Sequence, residues 1–426
     1  MSEIMLVKVN TQENNNKFYH LRLDGDTVHA RWGRVGNTGR TKPYPGGQHT
    51  FDRLVRSKTR EGYSEVKTVT AHAAKTSDDT PLKSLAREGL ASVSDPSVVA
   101  LIDRLVASNA HQIANISGGR MTVRDGQVTT PLGLVTTRTI DEAAVLLNEL
   151  PKLTGSARIE NLERYLRLIP QQVGARRGWH EDFLVTPDQV AAQADFLDRL
   201  RASVQVGLVK EEAGADIDPL ALFRYRLAPV SDGKVMDDLG RRFTSTVKAQ
   251  HSARVTGAKL VGAYEITDTR KADQFDALAA KLGNVQRNWH GTRNHNVLSI
   301  LTTGFVPRGS ISTVGLAGNM FGGYNCVYTS ETSTKAAGYA AGGVWSSGVD
   351  RQWFMFSADV IMGNECLPDR KGQYVWDDIL RGKVSDTKGR RFDSIHVRAG
   401  TCNVLNQEVI TPIDQVALRY LVVFDS

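Results

Sequence analysis

Cysteine is scarce. The chain of 426 residues holds three, Cys326, Cys366 and Cys402, widely spaced and without a CxxC pair. An odd, dispersed set argues against a disulfide framework and against a cysteine zinc site, and no metal site is expected. No run of about 18 apolar residues occurs, so no transmembrane helix and no membrane partner is expected. The opening MSEIMLVKVN lacks the apolar core and small-residue cleavage site of a signal peptide. The expectation is an intracellular protein: cytoplasmic or nucleoid-associated in a bacterium, nuclear in a eukaryote. HExxH, GxGxxG after a strand, GxxxxGK[ST] and GxSxG are missing as well. Metalloprotease, dinucleotide dehydrogenase, P-loop NTPase and α/β-hydrolase readings lose their main support.

What is present is ordinary for a folded chain: 41% hydrophobic and 23% charged residues. At roughly 150 residues per domain, the length suggests about two to three domains. The net charge of +7 is unevenly placed. Residues 1–67 carry 12 Lys/Arg against 7 Asp/Glu, and within 31–60 eight basic residues face Asp52 alone. Such a local excess is a footprint for phosphate, or else a plain solvated face.

Three textures follow along the chain. Residues 1–67 read as strands over 5–9, 18–23 and 27–32, with hairpin signals at Asp24-Gly25-Asp26 and Gly36-Asn37-Thr38-Gly39, and a short basic helix over 52–61. Residues 68–83, rich in Thr, Ala, Ser and Asp, read as a linker. Residues 84–215 read as helices. Asp95-Pro96 starts one whose Val98, Leu101, Ile102 and Leu105 share a face. The stripe Ile140, Ala144, Leu147, Leu150 ends at Pro151, and Ile159, Leu162, Leu166, Ile169 ends at Pro170. Thr186-Pro187 opens a fourth helix through Val190, Ala194 and Leu197. These stripes carry no chemistry and read as core. Residues 219–426 return to strands over 259–266, 352–360, 393–397, 408–411 and 417–424. Residues 304–348 hold ten glycines, against about four expected from the chain's 38. Glycine lets backbone approach a ligand, so a cleft is expected there.

His290-Gly291-Thr292, Tyr328, Tyr339 and Glu408 are each weak signals alone. Their spacing is not. Trp289-His290-Gly291-Thr292-Arg293, then Gly318-Asn319-Met320-Phe321-Gly322, then Val327-Tyr328, then Lys335 and Tyr339, resemble the donor site of the poly(ADP-ribose) polymerase family. The tail from Gln415 to Leu421 is similar to that family's last strand. Pro131-Leu132-Gly133, and Leu168-Ile169-Pro170 with Gly174, resemble its helical regulatory subdomain. Arg31-Trp32-Gly33-Arg34-Val35-Gly36 resembles the signature of the WGR domain.

The resemblance implies a multidomain α+β protein: a small β-rich WGR domain (1–67), a linker (68–83), an all-α helical subdomain (84–215), and a mixed α/β ADP-ribosyltransferase fold with a split antiparallel sheet (219–426). It implies DNA-break-stimulated ADP-ribosyl transfer from NAD+ to proteins, itself included. NAD+ is then a consumed substrate, and no cofactor is expected. The implied catalytic residues are Glu408, His290 and Tyr328. The implied NAD+ contacts are His290, Gly291, Thr292, Tyr328, Tyr339 and Lys335. The implied contacts to DNA strand breaks or other nucleic-acid ends are Trp32, Arg34, Arg31, Arg40 and Lys42. The helical subdomain is expected to shield the NAD+ cleft until DNA binds.

Three departures stand out. Ala336 replaces the serine that follows the family's lysine; Ser333 or Thr334 is a candidate replacement. Two extra residues within 323–326 lengthen the loop before Tyr328. Counting back from Gln415 without a gap puts Gln407 at the catalytic glutamate, whereas one deletion within 411–414 puts Glu408 there. Pro412 suits a shortened turn and favours Glu408. A polymerase, a mono-ADP-ribosyltransferase and a catalytically impaired DNA-binding protein of the same fold all fit the sequence.

Overall fold

The computed structural model describes the chain apart from residues 36–38, 66–80, 117–121, 174–177, 205–222, 249–254, 306–324, 341–350 and scattered single or paired positions. Outside the described residues therefore lie the turn Gly36-Asn37-Thr38, most of the linker, Pro131-Leu132, Pro170, Gly174, Pro187 and the Gly318-Asn319-Met320-Phe321-Gly322 motif. Two compact units are present, residues 1–80 with 110–212, and residues 81–109 with 213–310 and 315–426. The helical stretch expected over 84–215 is thus shared between them, the division falling inside the helix Pro96–Ile116. Among the described residues no helix is long and apolar enough to cross a membrane.

The first unit opens with a five-stranded antiparallel sheet. Its spatial order is Arg40–Pro45, Thr27–Arg34, Asn15–Asp24, Glu3–Asn10 and Ser64–Glu65. Asp24 opposes Thr27, so Gly25-Asp26 is a two-residue turn, with Gly25 at φ 57°. The strand Arg40–Pro45 had no sequence signal because it contains Pro43 and Pro45. It is an edge strand, where a missing N–H interrupts no ladder. The helix expected over 52–61 spans Gly47–Arg60. It begins earlier because Thr50 Oγ1 donates to the Pro45 carbonyl at 3.0 Å and secures the first turn. Phe51 and Leu54 pack on Leu6, Tyr19, Leu21, Val28 and Ala30.

The helices Thr137–Glu149 and Gly155–Leu168 bury Ile140, Ala144 and Leu147, and Leu162 and Leu166, while Leu150 and Ile169, buried too, directly follow them. Ile159 is only half-buried. Val190, Ala194 and Leu197 are buried as expected. The all-α expectation needs correcting here. Thr122–Arg124, Gln127–Thr130 and Gly133–Leu134 form a small antiparallel meander. The β-branched Thr122, Val123, Val128, Thr129 and Thr130 favour strand, and Asp-Gly at 125–126 is a hairpin dipeptide in the sequence.

The second unit opens with the helix Pro81–Leu90 and the first part of Pro96–Ile116. The Ser97 N–H donates to Asp95 Oδ1 at 2.7 Å, a side-chain cap at that helix's start. Two sheets follow. One has the order Val285–Gly291, Gln352–Ile361, Val416–Asp425, Lys259–Asp268, Tyr225–Pro229. The other runs Cys326–Thr329, Glu408–Pro412, Ser394–Val397, Glu365–Cys366, antiparallel except for its last pair. Every strand expected in this region is among them. The helices Gly233–Ser245 and Ser333–Ala340 contribute Phe243, Ala336, Ala337 and Ala340 to a core with Trp289, Trp353, Met355 and Phe424. Cys326, Cys366 and Cys402 lie in a second core with Trp376, Ile379, Ile395 and Ile410, as buried thiols.

Arg224 ties the helix Asn294–Thr303 to the sheet. Its N–H donates to the Thr302 carbonyl, and its guanidinium pairs with Asp268 at 2.5 Å. Burial pushes the Asp268 carboxyl up, but bonds from Arg224 and from the Arg270 and Lys271 N–H groups outweigh it and hold the group below 3.8. A carboxylate depressed in the fold contributes stability above its unfolded value, and loses it as pH falls through the folded value. Asp268→Asn is therefore expected to lower the melting temperature at neutral pH. It should also flatten the decline of stability below about pH 4. Parallel melting curves across that window for mutant and wild type would contradict this.

Candidate functional site

A backbone bridge joins the two sheets of the second unit. Trp289 and Ser330 exchange backbone hydrogen bonds of 2.8 and 3.0 Å. Next to this bridge, His290 Nδ1 lies 2.9 Å from the Tyr328 carbonyl. A carbonyl only accepts, so Nδ1 carries a proton. Phe305 meets the imidazole edge-on at 4.8 Å. Gly291 follows. A Cβ there would collide with the Ala336 carbonyl of the helix Ser333–Ala340. Glycine is required by this close approach and not by a left-handed φ.

That helix carries Lys335 and Tyr339 one turn apart, hence on one face. Lys335 Nζ pairs with Glu408 Oε1 at 2.9 Å, both side chains less than a tenth exposed. Glu408 begins the strand that runs beside Tyr328, whose partner is Ile410. Gln407 faces elsewhere. Its Oε1 accepts from the Glu331 N–H at 2.8 Å, and its carbonyl accepts from Ser330 Oγ at 2.6 Å. Adjacent strand residues point to opposite sides, so these bonds leave Glu408 on the Lys335 side.

The remaining expected positions are less central. The Tyr339 ring is 41% exposed. The half-buried Tyr328 packs on the second core, and its link to His290 is the backbone carbonyl. Thr292 Oγ1 accepts from Asn296 Nδ2 at 3.2 Å, a local bond at the start of the helix Asn294–Thr303. Ser333 and Thr334 do not stand in for the serine that Ala336 replaces. Ser333 Oγ donates to the Phe243 carbonyl at 2.6 Å, and Thr334 Oγ1 donates to the Lys248 carbonyl at 3.0 Å. Among the described residues no three His, Cys, Asp or Glu side chains are grouped to hold a metal ion.

In the first unit, strand alternation sorts the expected nucleic-acid contacts. Trp32 opposes Tyr19 and Arg40, and Ala30 opposes Lys42. Trp32, Arg34, Arg40 and Lys42 therefore share one face. Arg31 projects from the other, over the Phe18 ring at 5.3 Å. Trp32 is half-buried and stacks on Tyr19 at 5.7 Å and 21°.

Residues 237–425 match the poly(ADP-ribose) polymerase catalytic domain, and residues 2–70 match the WGR domain. The chain carries a poly(ADP-ribose) polymerase catalytic domain and a WGR domain. Its relatives are distant. Poly [ADP-ribose] polymerase 2-A of Oryza sativa is 24% identical, across 90% of this chain and 60% of its own length. Poly [ADP-ribose] polymerase 2 of Arabidopsis thaliana is 23% identical, across 99% and 72%. Protein mono-ADP-ribosyltransferase PARP3 of Homo sapiens is 24% identical, across 84% and 71%. The chain thus spans less than two thirds of the rice relative.

Within this catalytic domain the sequence motifs missed the surroundings of Gln407. His396 and Glu365 touch one another, and His396 touches Gln407. They lie 11 and 31 residues from their partners in sequence, so no spacing marks them. The Gly291 contact is directly testable. Gly291→Ala should destabilise the fold at the upper end of the ~1–3 kcal/mol usual for overpacking. Gly262→Ala, whose nearest new contact is Val423 Cγ2 at 3.9 Å, serves as the control. Equal melting temperatures for the two variants would refute the steric account.

Proposed function

We propose that the protein is a DNA-stimulated ADP-ribosyltransferase that consumes NAD+ and modifies proteins, itself included, by building poly(ADP-ribose). The reading rests above all on the buried Lys335–Glu408 pair, with the exposed Tyr339 one turn further along the helix that lies against Gly291. The glycosidic bond from nicotinamide to ribose breaks through an oxocarbenium-like state. Its electron pair leaves with nicotinamide, and an acceptor hydroxyl or carboxylate attacks the ribose carbon. Glu408 stabilises the cation and, for a hydroxyl, takes its proton. Backbone groups of Gly291 hold the nicotinamide amide, and Tyr339 stacks on the ring, a contact worth about 0.5–1.5 kcal/mol beyond area burial. His290 Nε2 bonds a ribose hydroxyl. NAD+ is spent, so no resident cofactor is needed.

Nucleic-acid ends bind the first unit on the face of Trp32, Arg34, Arg40 and Lys42. The helical region transmits that binding. Asn148 Oδ1 and Asn161 Oδ1 are buried there without a hydrogen-bond partner among the described residues. Each such group costs roughly 1–3 kcal/mol and favours local opening.

Two measurements follow. Labelled NAD+ with the intact chain should give a ladder on a denaturing gel when nicked DNA is present and little label without it. Glu408→Gln should abolish elongation while NAD+ still binds. A single sharp band would mean mono-ADP-ribosylation, as in the human relative's name, and absence of label would defeat the transferase reading. For the nucleic-acid face, replacing Arg34, Arg40 or Lys42 with Ala should each weaken DNA binding and reduce the salt slope by about 0.9. Arg31→Ala should leave the slope unchanged; equal losses for all four would refute a one-faced contact.

A further inference from the structure

Gln407, beside Glu408, is 96% buried, its exposure being 4%. Its amide orientation is fixed from one end, because Oε1 accepts the Glu331 N–H at 2.8 Å. The other end, Nε2, is therefore a donor, and it points at His396 Nε2 at 3.2 Å. A donor needs an acceptor, so His396 Nε2 is unprotonated here. His396 Nδ1 contacts the Glu365 carboxylate, which only accepts, so Nδ1 holds the ring's proton. Glu365 is in turn held by Asn284 Nδ2 at 2.5 Å. A continuous chain runs from Asn284 through Glu365, His396 and Gln407 to the Glu331 backbone. It links five segments that only meet in the folded domain.

We infer that His396 is a positioning residue for Glu408. It holds the Gln407 amide, and that amide fixes which of two neighbouring side chains is turned toward Lys335. This inference rests on the transferase reading above. Glu365 faces the ring from the strand Glu365–Cys366, and Gln407 faces it from the segment entering Glu408–Pro412. Beyond Gln407 lies the Lys335–Glu408 pair. If His396 gains a second proton, two donors confront each other, and Gln407 must release either His396 or the Glu331 N–H. Either release loosens the residue that sets the direction of Glu408. A misplacement of about 1 Å at a reacting group costs on the order of a hundredfold in rate.

The test compares His396→Gln with His396→Leu in the full chain. Gln puts an amide oxygen where Nε2 stood and cannot be protonated; Leu offers no acceptor. His396→Leu should lower kcat for NAD+ consumption by about ten- to a hundredfold, with KM for NAD+ changed by less than about threefold. His396→Gln should keep kcat within about threefold of wild type. Wild-type kcat in His396→Leu, or equal losses in both variants, would overturn the inference. The nitrogen NMR shift of His396 Nε2 in the full chain reads the acceptor state without turnover. A pyridine-type shift at neutral pH supports the clamp, and a protonated Nε2 overturns it. An inactive wild type would count against the transferase reading, leaving the nitrogen shift to decide the clamp.

Discussion

The catalytic domain depends on the backbone bridge between Trp289 and Ser330. These two hydrogen bonds lie at the seam between a five-stranded and a four-stranded sheet, beside the Asn288–Thr329 and His290–Tyr328 contacts. On one side of the seam, Trp289 anchors the core of Trp353, Phe424 and Phe243. On the other, Ser330 Oγ holds the Gln407 carbonyl. His290 and Gly291 follow Trp289 directly, while Glu331 leads into the helix of Lys335 and Tyr339. A shift at the seam would move both walls of the site together.

Close approach then sharpens the arrangement. With hydrogen at its α-carbon, Gly291 lets the helix Ser333–Ala340 lie against the strand. Buried Ser333 and Thr334 spend their hydroxyls on the Phe243 and Lys248 carbonyls. That roots the helix in the last turn of Gly233–Ser245 and the segment after it, and leaves Lys335 and Tyr339 on the opposite side. Charge is introduced sparingly. Lys335 and Glu408 are buried together, so each charge meets its opposite.

The WGR domain uses strand geometry to a different end. Its sheet buries one face under the helix Gly47–Arg60, but Trp32, Arg34, Arg40 and Lys42 continue that face past the packed residues. Tyr19 supports the Trp32 ring from below, and Lys58 caps Tyr19 with its ammonium 4.9 Å from the ring centre. A half-buried, stacked tryptophan is already ordered before anything binds, so less entropy is lost on contact.

The sequence by itself determined the elements and most of the site's members. Apolar periodicity marked the helices carrying Leu101, Leu147, Leu166 and Leu197, and β-branched runs marked the strands of the catalytic domain, because burial repeats along the chain with the period of each element. The resemblance of its motifs to a known family grouped His290, Lys335, Tyr339 and a glutamate. Tertiary structure decided the rest. Gln407 and Glu408 were separated by partners distant in sequence, Glu331, Ser330 and His396 on one side and Lys335 on the other. Arg31 was split from Arg34 by strand parity, which requires knowing the register. The edge strand with Pro43 and Pro45 formed against its local propensity because only its inner side needs a partner. Direction, pairing and register depend on contacts between segments far apart in the chain, and no local pattern of residues records them.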